Sequence, residues 1–183
     1  MRRSDRACSW HDRPVIGLHL LRHAHAGDPE RWHGDDAERP LSEKGRRQAE
    51  RLGRLLAASD DAPDLFITSP KVRARETAEM VAGALKVPVV VDRRLGGGLD
   101  LSTLSEILTA HADGERPCVV GHDPDFSELA GSLVGLPMPL RKGALARIDL
   151  SGEVAAGAGT LRWLIPPDVL AGRRSSAEEA PGS

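Results

Sequence analysis

Short apolar runs alternate with longer segments of helical period along most of this chain. Six runs have the length and composition of strands: Val15–Leu21, Asp64–Thr68, Val87–Val91, Pro117–Gly121, Ala144–Leu150 and Thr160–Ile165. Between them, "LSEKGRRQAERLGRLLA" places Ala49, Leu52, Leu55 and Leu56 on one helical face, with Ser42 as the N-cap. "SPKVRARETAEMVAGAL" aligns Ala74, Ala78, Val81 and Leu85, with Ser69 as N-cap and Pro70 at the first helical position. A shorter helix is expected over Ser105–His111. "DPDFSELAGSLVG" repeats the cap-and-proline pattern at Asp123-Pro124 and aligns Phe126, Leu129, Ala130 and Leu133.

Strands apolar on both faces, alternating with helices, predict an α/β domain. The expected architecture is a three-layer sandwich with a mainly parallel central sheet flanked by helices. In such a sheet the pocket lies at the carboxyl ends of the strands. Residues 1–14 and 169–183 hold little that a core could bury, so they are expected to be flexible extensions around a domain spanning 15–168.

At 183 residues the chain can bury a core without disulfide or metal staples. Its 25 basic and 27 acidic residues leave a net charge of -2, which argues against a general nucleic-acid or membrane-surface binder. Cys8 and Cys118 lie far apart with no C-x-x-C, and Cys118 in "PCVVGH" reads as a small buried apolar residue. No apolar run approaches the ~20 residues of a spanning helix. "MRRSDRACSWHDRP" has the charges of a signal peptide without its apolar core, so the expected location is cytoplasmic.

The candidate chemistry sits at the predicted strand ends. "LHLLRHAHAG" closes the first strand with Arg22-His23, "TSPKVR" follows the second with Arg73 one turn into its helix, and "VVGHDP" closes the fourth with His122. Two arginines and two histidines on one rim, with no evident carboxylate partner, suit an anion. Helix N-termini after Ser69 and Asp123 add partial positive charge there.

These stretches resemble the histidine phosphatase superfamily, with its phosphoglycerate mutase-like fold, and most of all its bacterial phosphohistidine phosphatase (SixA-type) branch. The resemblance covers Val15 to Pro166 and rests on "LLRHAHA", "RPLSEKGRRQA", "TSPKVRARETAE", "VVGHDP" and "LRWLIPP", in that order. It implies that His23 is the nucleophile and carries the phosphoryl group as a covalent intermediate. Arg22, Arg73 and His122 then bind phosphoryl oxygens. A neutral imidazole beside cations suits the first role, and guanidinium forks suit paired phosphate oxygens. The resemblance requires no metal and no cofactor.

His25, two residues after His23 in an extended segment, is a further substrate-contact candidate. Thr77 shares a helix face with Arg73 and is expected to be a plain helix-face threonine, with orientation of that arginine as the alternative. Ser69 is expected to cap its helix, no base being placed for it. The resemblance implies that a general acid, where members act on alkyl phosphates or as mutases, comes from the segment after the third strand, and here that segment, "DRRLGGGLDLS", offers only Asp92 and Asp100. Asp100 is the weak candidate, with a turn or helix-cap role as the plainer one. Without a strong acid, substrates with good leaving groups are favoured, such as the imidazole of phosphohistidine.

The expected function is hydrolysis of phosphohistidine, on a phosphorelay-type protein, by a monomer that binds neither nucleic acid nor membrane. A small-molecule phosphomonoesterase or mutase of the same superfamily is the alternative, and a non-catalytic phosphate-binding module a third. "HAHAGD" also offers H-x-H plus Asp28, as in metallohydrolases, but the later strand ends supply arginine and a single histidine instead. A barrel metallohydrolase would also need a longer chain, about 250 residues.

Overall fold

The structure, a computed structural model, describes residues 15–112 and 114–170. The extension predicted over residues 1–14, Cys8 included, and most of the predicted tail lie outside them. Strands form at β1 (Ile16–Arg22), β2 (Leu65–Thr68), β3 (Val89–Val91), β4 (Pro117–Gly121), β5 (Leu145–Leu150) and β6 (Gly159–Ile165). Helices form at α1 (Glu43–Ala57), α2 (Val72–Leu85), α3 (Leu101–Ala110) and α4 (Asp125–Val134).

One six-stranded sheet runs in the order β3-β2-β4-β1-β5-β6. Pairings β1–β4, β2–β4 and β2–β3 are parallel, while β5 and β6 extend the sheet antiparallel beyond β1. Alternation along the strands feeds two cores. Leu18, Leu20, Ile67 and Val119 pack with Leu104, Ile107, Phe126, Leu129 and Leu133 of α3 and α4. Leu21, Phe66, Cys118 and Val120 pack with Ala49, Leu52, Ala74, Ala78 and Val81 of α1 and α2 on the opposite face. This is the predicted three-layer sandwich. Truncating a fully buried member such as Leu52 or Leu104 to alanine should cost about 2–5 kcal/mol.

Helix starts depart from the sequence reading in informative ways. Ser42 caps α1 as expected, accepting from the Gly45 N–H at 3.2 Å, but Leu55 turns outward and Gly53 takes the buried position. Helix α2 begins at Val72 with Lys71 at its N-cap, not at Pro70 behind Ser69, because the Ser69 N–H still bonds Val120 of the sheet. Helix α3 begins four residues before Ser105, since the Asp100 carboxylate caps it through Thr103. Helix α4 begins at Asp125, and Asp123 is engaged elsewhere.

Two glycines are required by close approach. A Cβ at Gly45 would collide with the His25 carbonyl, and one at Gly121 with the Phe126 ring. Both contacts draw helices tightly onto the strand ends that carry the site.

Candidate active site

Sheet register alone gathers the predicted residues. Arg22 pairs with Gly121 across β1 and β4, so His23 and His122 leave adjacent strands side by side. Thr68 pairs with Val120, which brings Ser69 to the same edge. The rings of His23 and His122 stand 5.1 Å apart between centroids, tilted by 55°. Arg73 enters from the first turn of α2.

His23 is buried, and its Nδ1 lies 2.7 Å from the Ala24 carbonyl oxygen. A carbonyl only accepts, so Nδ1 carries the proton and Nε2 holds the free lone pair. Burial pushes the pKa down to about 3, and the nearby His122, Arg73 and Arg22 push the same way. Desolvation thus outweighs the neighbouring cations, which were the cause visible in the sequence. The Ala24 N–H in turn donates to Thr77 Oγ1 at 3.1 Å, and Thr77 Oγ1 donates to the Arg73 carbonyl at 2.7 Å. Thr77 therefore braces the peptide that orients His23, which is neither the plain helix-face role expected from sequence nor the alternative of orienting the Arg73 guanidinium.

His122 Nε2 lies 2.8 Å from the hydroxyl of fully buried Ser69. That hydroxyl accepts from the Lys71 N–H at 3.3 Å, so its proton is satisfied by donation to Nε2. The neutral ring then carries its own proton on Nδ1, which has no partner in the protein. Burial, then Arg73 and Lys71, lowers this pKa to about 3. Ser69 is thus not a cap, and it does have a base beside it, contrary to the sequence reading.

The arginines do have carboxylate partners, which corrects the expectation drawn from sequence. Arg22 Nη1 reaches Asp123 Oδ2 at 2.8 Å and the Leu140 carbonyl at 2.6 Å. Ser127 Oγ donates to Asp123 at 2.9 Å and accepts from the Leu140 N–H at 2.9 Å, closing the ring of bonds. Arg73 donates from Nη1 to the Asp36 carbonyl at 2.6 Å and from Nη2 to Asp36 Oδ2 at 2.9 Å. Asp36 is held by Arg39, whose Nη1 also bonds the Ala26 carbonyl. Nothing in the hydrophobic pattern marks "DDAERP" as part of a site, so Asp36 was not legible. Asp123 was hidden by its resemblance to a helix cap.

What these clamps leave over is informative. Among the described residues, three buried side-chain polar atoms have no hydrogen-bond partner: Arg22 Nε, Arg73 Nε and His122 Nδ1. Buried polar groups are normally satisfied, so three nitrogen donors left open on residues gathered with His23 at the strand ends are free to bond an anion.

The remaining candidates separate. His25 is half-buried beside His23, with Nδ1 2.7 Å from Ser42 Oγ and its N–H donating to Gln48 Oε1. Asp100 is exposed, caps α3, and is held below the usual carboxylate range by the Thr103 N–H, which suits a cap and not a proton donor. Asp92 is bound by Arg94 and His111, the Arg94 bonds first among the causes that hold its pKa at about 2. Asp28, the third member of the H-x-H rival, accepts from the Glu30 N–H. Among the described residues no group of three or more His, Cys, Asp or Glu side chains is arranged to hold a metal ion. His19 is a core residue packed on Trp163, its two ring nitrogens each 3.1 Å from a carbonyl oxygen, that of Gly17 or of Asp61, and the neutral ring donates to one of them. A groove of 780 Å³ between α4 and residues 135–139 is lined by none of Arg22, His23, Arg73 and His122, and meets the site's bond network only at Ser127.

Residues 18–97 match the histidine phosphatase superfamily (branch 1). An uncharacterized protein of Mycobacterium tuberculosis is 32% identical over 110 residues, spanning 60% of this chain and 67% of that protein. An uncharacterized chloroplastic protein of Arabidopsis thaliana is 26% identical over 173 residues, 82% of this chain and 78% of that one. The 55 kDa subunit of transcription factor tau from Saccharomyces cerevisiae is 30% identical over 89 residues, which span only 20% of that subunit and 45% of this chain. The solved structure of the protein histidine phosphatase SixA complexed with tungstate superposes with a TM-score of 0.73 at 25% identity, over 85% of this chain and 99% of that one. The alpha-ribazole phosphatase from Shigella flexneri shares the fold, with a TM-score of 0.64 at 20% identity over 83% and 97% of the two chains. The fold and the strand-end residues define a phosphoglycerate mutase-like histidine phosphatase fold. The chain belongs to the histidine phosphatase superfamily.

Proposed function

We propose that this protein is a metal-independent phosphatase that hydrolyses phosphohistidine through a covalent intermediate on His23. The observation that carries this reading is the set of three unpartnered buried nitrogens on Arg22, Arg73 and His122, residues that the strand ends gather with a His23 whose Nε2 holds the free lone pair. Three phosphoryl oxygens supply the missing acceptors.

In the first step His23 Nε2 attacks phosphorus while the bond from phosphorus to the substrate imidazole nitrogen breaks. That nitrogen takes a proton from solvent. In the second step water attacks the phosphorylated His23, inorganic phosphate leaves, and the water's remaining proton passes to solvent. The protein's contribution is positioning and stabilisation of spread negative charge. His122 serves as a neutral Nδ1–H donor, and the guanidinium groups present their Nε edges.

Substrate choice rests on the absence of a placed acid. Asp92 and Asp100, the carboxylates after β3, are committed to Arg94 and to the α3 cap. Alkyl esters, whose oxygen must be protonated to leave, are then poor substrates, and N-phosphorylated imidazole is a good one. The likeness to the SixA structure, solved with the phosphate-like tungstate ion, supports the same branch.

The test is phosphate release from an N-phosphorylated histidine protein in EDTA, wild type beside His23→Ala. Release by wild type alone is the expected result. Activity in His23→Ala would remove the nucleophile assignment, and loss with EDTA the metal-free one. Turnover confined to small phosphate esters would favour the phosphomonoesterase alternative, and binding without turnover a phosphate-binding module.

A further inference from the structure

The chain has four lysines, Lys44, Lys71, Lys86 and Lys142, and three of them surround the site on separate segments. Lys44 lies in the first turn of α1, two residues after Ser42, whose hydroxyl contacts His25. Lys71 donates its N–H to Ser69, the residue that holds His122. Lys142 precedes Gly143, whose N–H lies 3.0 Å from both the Arg22 and His23 carbonyls.

Carboxylates near the site are already engaged. Asp36 serves Arg39 and Arg73, Asp123 serves Arg22, and Glu43 serves Arg47. Glu76 serves Arg46 and the Leu41 N–H, and Asp125 accepts from the Leu99 N–H. Asp28, which accepts from the Glu30 N–H, is the carboxylate that acts on Lys142 from a distance. Among the described residues every ion pair uses arginine or histidine as its cation, and no lysine is paired.

Lys71 and Lys142 are half-buried and Lys44 is exposed, on the three segments that bound the site. Burial, then Arg22, Arg39 and Arg73, holds the Lys142 ammonium below its ordinary range. Lys142 and Lys44 act on His25, after burial, and Lys71 acts on His122. Cations crowded together without a counter-ion are unfavourable until anions arrive. The phosphoryl oxygens are met by Arg22, Arg73 and His122, so the lysines are left for other anionic groups.

We infer that Lys44, Lys71 and Lys142 form a docking rim for acidic side chains of a protein substrate, flanking its phosphorylated residue. This rests on the phosphatase reading above and adds to it the class of surface that the enzyme selects. Separate point charges on three segments suit separate carboxylates of a polypeptide better than one compact ester. A rim of this kind acts mainly on encounter and on partner choice, and salt weakens it.

The experiment uses two peptides carrying a non-hydrolysable phosphonate analogue of phosphohistidine, one flanked by glutamates and one by glutamines. Their affinities for the full chain and for a Lys44→Gln/Lys71→Gln/Lys142→Gln variant are read by fluorescence anisotropy. With each exposed pair contributing modestly, the glutamate peptide should bind wild type about tenfold tighter. The ratio should fall to near one in the triple variant and at about 0.5 M salt. Hydrolysis of p-nitrophenyl phosphate by the variant should stay within about twofold of wild type, since the rim lies outside the phosphoryl receptor.

Equal affinity of the two peptides for wild type would overturn the inference. So would a ratio that survives in the triple variant, or an equal loss of both peptides, which would put the lysines on the phosphoryl group itself. The binding ratio is read without turnover, so failure of the phosphatase reading shows separately, as no hydrolysis of phosphohistidine by wild type.

Discussion

Asp36 holds both terminal nitrogens of Arg73, one on its backbone carbonyl at 2.6 Å and one on its carboxylate at 2.9 Å. This grip occupies both terminal nitrogens and leaves the buried Nε as the nitrogen of the guanidinium without a partner. Asp36→Ala should release that orientation and lower kcat/KM by about 10- to 100-fold. Asp36→Asn, which keeps an acceptor, should lose less. Thermal stability should fall as well in Asp36→Ala, because Arg73 is only 6% exposed and its buried charge loses a carboxylate partner, while the Asp36 backbone carbonyl remains to it. Kinetics and tungstate inhibition of both variants check the order.

The bond between Ser69 and His122 sets which ring nitrogen faces the pocket. In Ser69→Ala, Nε2 loses its donor and the neutral ring can move its proton there. Phosphate affinity should fall about tenfold, as for the loss of one good hydrogen bond to a charged group. Nitrogen NMR of the His122 ring would show the proton leaving Nδ1, a change that a packing defect alone would not cause.

Thr77→Val keeps the shape of the side chain and removes the acceptor of the buried Ala24 N–H. An unsatisfied buried donor costs about 1–3 kcal/mol, which denaturant unfolding would measure. Turnover should fall with KM nearly unchanged, because the Ala24 carbonyl orients the nucleophile, not the substrate. Thr77→Ser should restore both quantities.

Stability should fall on mild acidification. The pKa values of His19, His23 and His122 sit at about 4, 3 and 3, lowered first by burial. Unfolding returns each to about 6.5, so below that pH the unfolded chain binds more protons and acid favours it. The penalty is absent above pH 6.5 and grows as the pH falls towards 4 and then 3. Each histidine contributes up to about 1.4 kcal/mol per pH unit in that window. Denaturant unfolding at several pH values should show a shallower slope for His23→Ala than for wild type.

Much of this was open to inspection in the sequence, since strands buried on both faces write continuous apolar runs. All six predicted strands form, Pro117–Gly121 with the predicted bounds and the others shifted by one or two residues at one or both ends. Arg22, His23, Arg73 and His122 were legible because each stands at or just after a strand end. Helix starts were less so. Ser69 and Asp123 carry the residue types of N-caps, and only the positions of His122 and Arg22 divert them.

Sequence by itself determined the layered α/β architecture and the residues that meet at its carboxyl edge, because periodicity and strand-end position are local properties. Tertiary structure alone decided how those residues are held. Asp36 reaches Arg73 across 37 positions of chain, Thr77 reaches Ala24 across 53, and Ser69 reaches His122 across 53. Burial, which makes both histidines neutral and leaves three nitrogens open, exists only once the sheet and helices have closed around them.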